Sequence, residues 1–218
     1  MTIYIAGDST AANQTNVYVG WGQMLQAFFK LEVVVDNRAA NGRSSKSFIE
    51  EKRLDKISVA IRQGDYLLIQ FGHNDQKPDE RGTQPFTTYP ETLKRYIDAA
   101  REKGALPVLI TPVHRRKFDE NGIQQDTHGS YPEAMRRLAV AENVPLIDLH
   151  KRSGELLAAL GVEKSKDLFT HVAPGVYEQF PSGIKDDTHF SEYGAKEMAK
   201  LVVDEIRINI AELAQYLG

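Results

Sequence analysis

The chain contains no cysteine. That single absence removes a disulfide framework, a thiolate nucleophile and a cysteine-ligated zinc centre. No apolar run approaches the roughly 18 residues needed to span a bilayer, so a soluble protein without a membrane partner is expected. Excess charge of either sign is also scarce: 27 Lys and Arg stand against 30 Asp and Glu, a formal net charge of -3. Such a weak overall field gives no reason to expect a nucleic-acid partner, and recognition of any charged substrate must be local. Neither a Gly-x-x-x-x-Gly-Lys phosphate loop nor a His-Glu-x-x-His pair occurs, so no cofactor and no metal are assigned. Internal repeats, low-complexity tracts and linkers are absent too. A length of 218 residues then predicts one domain over 1–218. If Met1 is the native start, no signal segment precedes the first strand and a cytoplasmic location is expected. Oligomeric state leaves no mark.

What is present is a rhythm. Short runs rich in Val, Ile and Leu recur at Ile3–Ala6, Leu31–Val35, Tyr66–Phe71, Pro107–Thr111 and Pro145–Leu149. Their continuity suits strands buried on both faces. Between them, helical spacing runs through 22–29, 47–62, 88–103 and 131–142, the last opened by a capping-box pattern, Ser130 with Glu133. A final helix over about 192–216 carries Met198, Leu201, Val202, Ile206, Ile210 and Leu213 as an apolar stripe. Alternating strands and helices predict an α/β fold with a central parallel sheet of about five strands and helices on both faces.

In such sheets ligands bind at the carboxyl ends of the strands, and the polar motifs cluster there. Gly7-Asp8-Ser9-Thr10 follows the first strand, Asn41-Gly42-Arg43 the second, Gly72-His73-Asn74-Asp75 the third, and Arg115-Arg116 the fourth. Taken alone, Asp-Ser-Thr is a cap, Asn-Gly a turn and Asn74 a helix cap. Together with Asp186-Asp187-Thr188-His189 they supply nucleophile, base, orienter and anion-stabilising donors for acyl transfer. Ser9 would attack. His189 would take its proton, since imidazole titrates near working pH. Asp186, three residues upstream, could fold back to orient the ring, with Asp187 as the competing orienter. The N–H groups of Ser9 and Gly42 and the Asn74 amide could face the oxyanion. His73, His114, His128, His150 and His171 are rival bases. Asp8 and Asp75 are read as loop braces.

These blocks, in this order from first strand to last helix, resemble those of the SGNH or GDSL hydrolase superfamily. The fuller strings Gly-Asp-Ser-Thr-Ala-Ala (7–12), Asn-Gly-Arg-Ser-Ser (41–45), Gly-His-Asn-Asp (72–75) and Thr-Pro-Val-His-Arg-Arg (111–116) are similar to the rhamnogalacturonan acetylesterase branch of carbohydrate esterases. Thr10 in place of Leu favours that branch over lipases. The resemblance implies a flavodoxin-like, three-layer α/β/α fold and cofactor-free removal of acetyl groups from pectic material. It also implies a Ser9–Asp186–His189 triad with an oxyanion hole from Ser9, Gly42 and Asn74. Acetylated oligosaccharides suit a cytoplasmic enzyme better than the polymer.

Pectic chains carry uronate carboxylates, for which Arg43, Arg115 and Arg116 offer guanidinium forks; Lys117 is read as solvated surface charge. Trp21, Phe86, Tyr89 and Tyr177 offer rings for sugar faces, and 169–185 a possible cleft wall. Xylan or general acetylesterase, lysophospholipase or thioesterase, and a non-catalytic carbohydrate-binding protein are the competing readings.

Overall fold

A computed structural model describes residues 1–15 and 17–218. Five parallel strands form the central sheet: β1 (Thr2–Gly7), β2 (Val34–Asn37), β3 (Tyr66–Gln70), β4 (Leu106–Ile110) and β5 (Leu146–Ile147). Their order is β2-β1-β3-β4-β5, and the ladders run in register from Ile3 opposite Tyr66 to Gly7 opposite Gln70, and from Tyr66 opposite Leu106 to Gln70 opposite Ile110.

Side chains on a strand alternate between faces, and here both faces are apolar. Ile3, Ile5, Leu68, Val108 and Ile110 feed one core, whereas Tyr4, Ala6, Leu67, Ile69 and Leu109 feed the other. That is why the strands read as continuous apolar runs rather than as alternating ones. Four helices cover the second core: α2 (Ser45–Glu50), α3 (Arg53–Ala60), α4 (Thr88–Arg101) and α5 (Tyr131–Ala141). Against the first core lie α1 (Trp21–Met24), α6 (Leu149–Lys164), α7 (Glu192–Asn209) and the short α8 (Ala211–Ala214). The three layers expected from the sequence are therefore present. A separate antiparallel pair, β6 (Phe169–Val172) with β7 (Ile184–Phe190), stands beside α7. Among the described residues no helix is long and apolar enough to cross a membrane.

Several boundaries differ from the sequence pattern, each for a local reason. Leu31 lies in a turn and is fully exposed, so the second strand begins only at Val34. The 47–62 segment is two helices, because Lys52 adopts φ 57° between them. The 22–29 segment is one α turn followed by a 3-10 turn over Leu25–Phe28. Ser130 does not cap α5: it sits in helical conformation, and Glu133 pairs with Arg137 at 2.9 Å instead of reaching back. The capping box forms at Ser44 and Ser47, at the start of α2. The last helix stops at Asn209. Helix α6, interrupted by Gly161, and the β6–β7 pair carry no clear periodic signal and were not expected.

Candidate active site

With strand order 2-1-3-4-5, the connections leaving β1 and β3 run to opposite sides, opening a crevice between their carboxyl ends. The loop after β1 carries Ser9 and the loop after β3 carries Asn74. The turn at Asp8–Ala12 is closed by Ala11 and Ala12 N–H groups donating to the Asp8 carbonyl. No helix starts there; α1 begins only at Trp21. Asp8 is fully buried, and its Oδ1 accepts from the Thr10 amide and hydroxyl at 2.9 and 2.7 Å. The expected loop brace is thus in place.

Ser9 Oγ lies 2.9 Å from His189 Nε2, although 180 residues separate them in the chain. On the other side of the ring, His189 Nδ1 lies 2.8 Å from Asp186 Oδ2. Asp186 Oδ1 also accepts from the amides of Thr188 and His189 at 2.7 and 2.9 Å. Burial pushes the Asp186 pKa up, but these bonds and His189 outweigh it and hold the carboxyl below the ordinary value. A carboxylate fixed in this way places a proton on Nδ1 and leaves the Nε2 lone pair towards Ser9. Asp187 points elsewhere: its Oδ1 meets Arg116 Nη1 at 2.8 Å and His171 Nε2 at 2.9 Å. Of the two acids, it is Asp186 that lies within hydrogen-bond reach of His189 Nδ1. Both acids and His189 sit on β7 rather than on a loop, and it is Ser191, not His189, that caps α7.

Gly42 adopts φ +75°, a region costly for a residue with Cβ. Its carbonyl accepts from Arg81 Nη1 at 3.3 Å. Among the described residues neither the Ser9 nor the Gly42 N–H donates to another group. The Asn74 Nδ2 donates one proton to the Arg43 carbonyl at 3.1 Å, which ties the second and third loops together and leaves its second proton available. Behind them, Asp75 is completely buried and accepts from the amide and hydroxyl of Ser45. Burial dominates there and raises the Asp75 carboxyl to about 7.

Ser9, Gly42, Asn74, Asp186 and His189 open onto one cleft of about 390 Å³, which is also lined by Gln14, Tyr18, Asn41, Lys77 and Arg81. Gln14 bridges two walls, donating to the Ser9 carbonyl at 3.0 Å and accepting from Asn41 at 3.3 Å. Tyr18 meets the His189 ring edge-on at 5.4 Å. Sequence reasoning missed these additional residues; for Lys77 and Arg81 the signal was their place within seven residues of Asn74.

The substrate-binding residues expected from sequence lie elsewhere. Trp21 is fully buried in the core and donates its indole N–H to Gln70 at 3.0 Å, so it cannot stack on a sugar. Arg43 pairs with Glu51 at 2.8 Å and faces a neighbouring hollow. Arg115 is half-buried against the Thr127 and His73 carbonyls, and Arg116 spans Asp187, Ser165 and Val162. Both guanidinium groups brace loops. Tyr89 is buried with its hydroxyl on the Phe71 carbonyl, Phe86 lies under Arg137, and Tyr177 borders a separate hollow with Val17. The 169–185 segment is β6, the loop 173–183 and the start of β7, and it does not line this cleft. The rival histidines are engaged away from Ser9: His171 with Asp187, and His73, His128, His114 and His150 in a chain of ring contacts 4.3 to 6.3 Å apart.

Residues 5–196 match the GDSL-like lipase/acylhydrolase family. The chain belongs to that family and is a carboxylic ester hydrolase. It is 50% identical over 94% of its length to the rhamnogalacturonan acetylesterase RhgT of Bacillus subtilis, covering 88% of that protein. It is 46% identical, again over 94%, to the probable rhamnogalacturonan acetylesterase YesY of the same organism, covering 92% of it. Among solved structures, the Bacillus subtilis protein YxiM superposes with a TM-score of 0.81 at 29% identity, over 95% of this chain and 56% of that one. An acetylxylan esterase from Geobacillus stearothermophilus shares the fold, with a TM-score of 0.66 at 18% identity over 94% of this chain and 93% of its own.

Proposed function

We propose that this chain, as a single catalytic domain over 1–218, removes O-acetyl groups from rhamnogalacturonan-type pectic oligosaccharides through an acyl-enzyme on Ser9. The observation that carries the proposal is the unbroken relay from Ser9 Oγ through His189 to Asp186, with bonds of 2.9 and 2.8 Å. His189 Nε2 takes the hydroxyl proton while Ser9 Oγ bonds to the acetyl carbon. The carbonyl oxygen becomes an anion facing the N–H groups of Ser9 and Gly42 and the free Asn74 proton. As the intermediate collapses, the bond to the sugar oxygen breaks and His189 returns the proton to that oxygen. A water then attacks acetyl-Ser9 by the same route in reverse, releasing acetate. Asp186 stays ionised throughout and stabilises the imidazolium.

The substrate class is supported by the two Bacillus relatives and by the cleft itself. Among the described residues, its lining has no aliphatic side chain to hold a long acyl chain. Lys77, exposed on its rim, pairs with no carboxylate among the described residues and suits a uronate group. The test is acetate release from acetylated rhamnogalacturonan fragments. Ser9→Ala should lower kcat by about 10⁴-fold or more with the fold intact; retained turnover would refute the nucleophile. Reaction of the folded wild type with an organophosphonate should label Ser9. A folded chain that never labels would instead be a binding protein.

A further inference from the structure

The long connection from β4 to α5 returns to the start of α6 through three side chains that the ester chemistry does not use. His114 stands just past β4, buried, with its backbone N–H donating to the Ser153 hydroxyl at 2.9 Å. Its ring packs on α6 at Gly154, where a Cβ would come within 3.0 Å of His114 Cδ2. His150 lies in the first turn of α6, its N–H anchored by the Thr111 hydroxyl at 2.8 Å. Asp126 comes from the far end of the connection. One ligand atom from each of the three lies within 4.8 Å of the other two, and His150 Nε2 already stands 3.2 Å from Asp126 Oδ1. Donor atoms about 2.0–2.1 Å from a tetrahedral ion sit about 3.3 Å from one another. One edge of the triangle therefore has the required length, and the others close with movements of about 1.5 Å or less, within reach of the exposed Asp126 side chain.

We propose that His114, Asp126 and His150 form a binding site for one divalent transition-metal ion of the zinc type, fastening the β4–α5 connection to α6. Two imidazoles and a carboxylate are a donor set suited to zinc and poorly suited to calcium or magnesium, which prefer all-oxygen shells. The surroundings orient the donors as such sites require. His114 Nδ1 is held between the Arg115 carbonyl at 3.2 Å and the Gln124 side-chain amide at 2.9 Å, which fixes the orientation of the ring. Asp126 Oδ1 accepts from the His128 amide at 2.9 Å, which positions the carboxylate while Oδ2 meets no described residue. Half of the Asp126 side chain is exposed, providing an entry path and room for a water ligand. The same connection carries Arg115, whose guanidinium holds the His73 carbonyl beside Asn74. The ion would thus steady one support of the cleft while lying outside it, and it takes no part in the ester reaction.

The test is a titration of chelator-stripped full chain with zinc chloride, followed by calorimetry and thermal unfolding. The expected result is one equivalent bound with micromolar or lower Kd, and a Tm raised by about 5–10 °C when free zinc is 100-fold above Kd. Asp126→Asn and His150→Gln should each weaken binding by about 10-fold or more. Asp126→Asn removes an exposed group, so unchanged circular dichroism checks that its effect is not unfolding. His171→Gln, at the His171–Asp187 pair outside the proposed site, should bind zinc like the wild type. Absence of binding at 100 μM zinc, binding untouched in both site variants, or binding lost in His171→Gln would each overturn the proposal.

Discussion

Asp186 and Asp187 are neighbours with opposite fates. The register of β7 against β6 shifts between Lys185 and Phe190, and within that irregular stretch Asp186 folds over the Thr188 and His189 amides to reach the His189 ring, while Asp187 turns to Arg116 and His171. Asp186→Asn keeps the shape but cannot hold a proton on Nδ1, and kcat should fall by about 10⁴-fold. Asp187→Asn removes the partner of a mostly buried guanidinium. It should lower stability by about 1–3 kcal/mol while changing kcat less than about 10-fold. Steady-state rates and urea midpoints on the two variants separate these effects, and a larger rate loss at position 187 would reverse the assignment. At this scale the sequence could offer both acids and no choice between them, because the local turn over the Thr188 and His189 amides forms only where β7 departs from regular pairing with β6. It also offered Trp21 as a sugar platform; burial against Gln70 shows how an aromatic in a loop-like stretch becomes core once α1 packs on α7.

Elements are joined behind the cleft by Asp75 and by Gly194. Asp75 binds the first residue of α2 through Ser45, and its carbonyl accepts from Tyr131 of α5 at 2.9 Å. Burial raises its carboxyl from 3.8 to about 7. The native state therefore holds a proton that the unfolded chain has already released between those values. This group's contribution makes stability fall as pH rises from about 4 to about 7 and is level above that. A carboxyl ¹³C resonance, assigned through Asp75→Asn, should titrate with a midpoint near 7; a midpoint near 4 would contradict the expectation. Gly194, in the first turn of α7, packs so tightly on the 3-10 turn leading into β6 (Ser165–Leu168) that a Cβ would stand 1.7 Å from the Leu168 carbonyl oxygen. Gly194→Ala must push α7 away from the strand pair that carries His189. The expected cost is about 1–3 kcal/mol or more, with a fall in kcat, seen by thermal unfolding and acetate release together. A variant as stable and active as the wild type would show that the contact yields freely.

For the whole molecule, the consequence of an open, polar cleft is selectivity for short acyl groups. The floor consists of backbone amides and Asn74, and the walls carry Gln14, Asn41, Lys77 and Arg81. With no aliphatic side chain among the described residues lining the cleft to bury methylenes, an octanoyl ester should gain nothing over an acetyl ester and lose from crowding. Its kcat/KM on a matched aryl alcohol should be lower by about 10-fold or more; equal or better turnover of the long chain would point to lipase-like chemistry. The strand order that creates this cleft also explains why residues 9, 42 and 74 converge, since each lies in the connection that leaves the carboxyl end of β1, β2 or β3; His189 is brought to them by β7, outside that sheet.

The sequence by itself determined the layers and the chemistry on offer. Apolar runs buried on both faces require a parallel sheet, and a serine, a histidine, acids and amide donors at strand ends define an acyl-transfer inventory. Tertiary structure decided which groups meet. The serine–imidazole bond spans 180 positions, and no local pattern encodes a contact of that range. The same limit hid the two-stranded β6–β7 unit, whose short strands carry polar residues that read as loop, and the placement of Arg43, Arg115 and Arg116. Their guanidinium groups were free to bind a ligand in the linear chain. In the folded one they are consumed by Glu51, by backbone carbonyls and by Asp187, because a charge near a folded surface takes the nearest partner that packing brings to it.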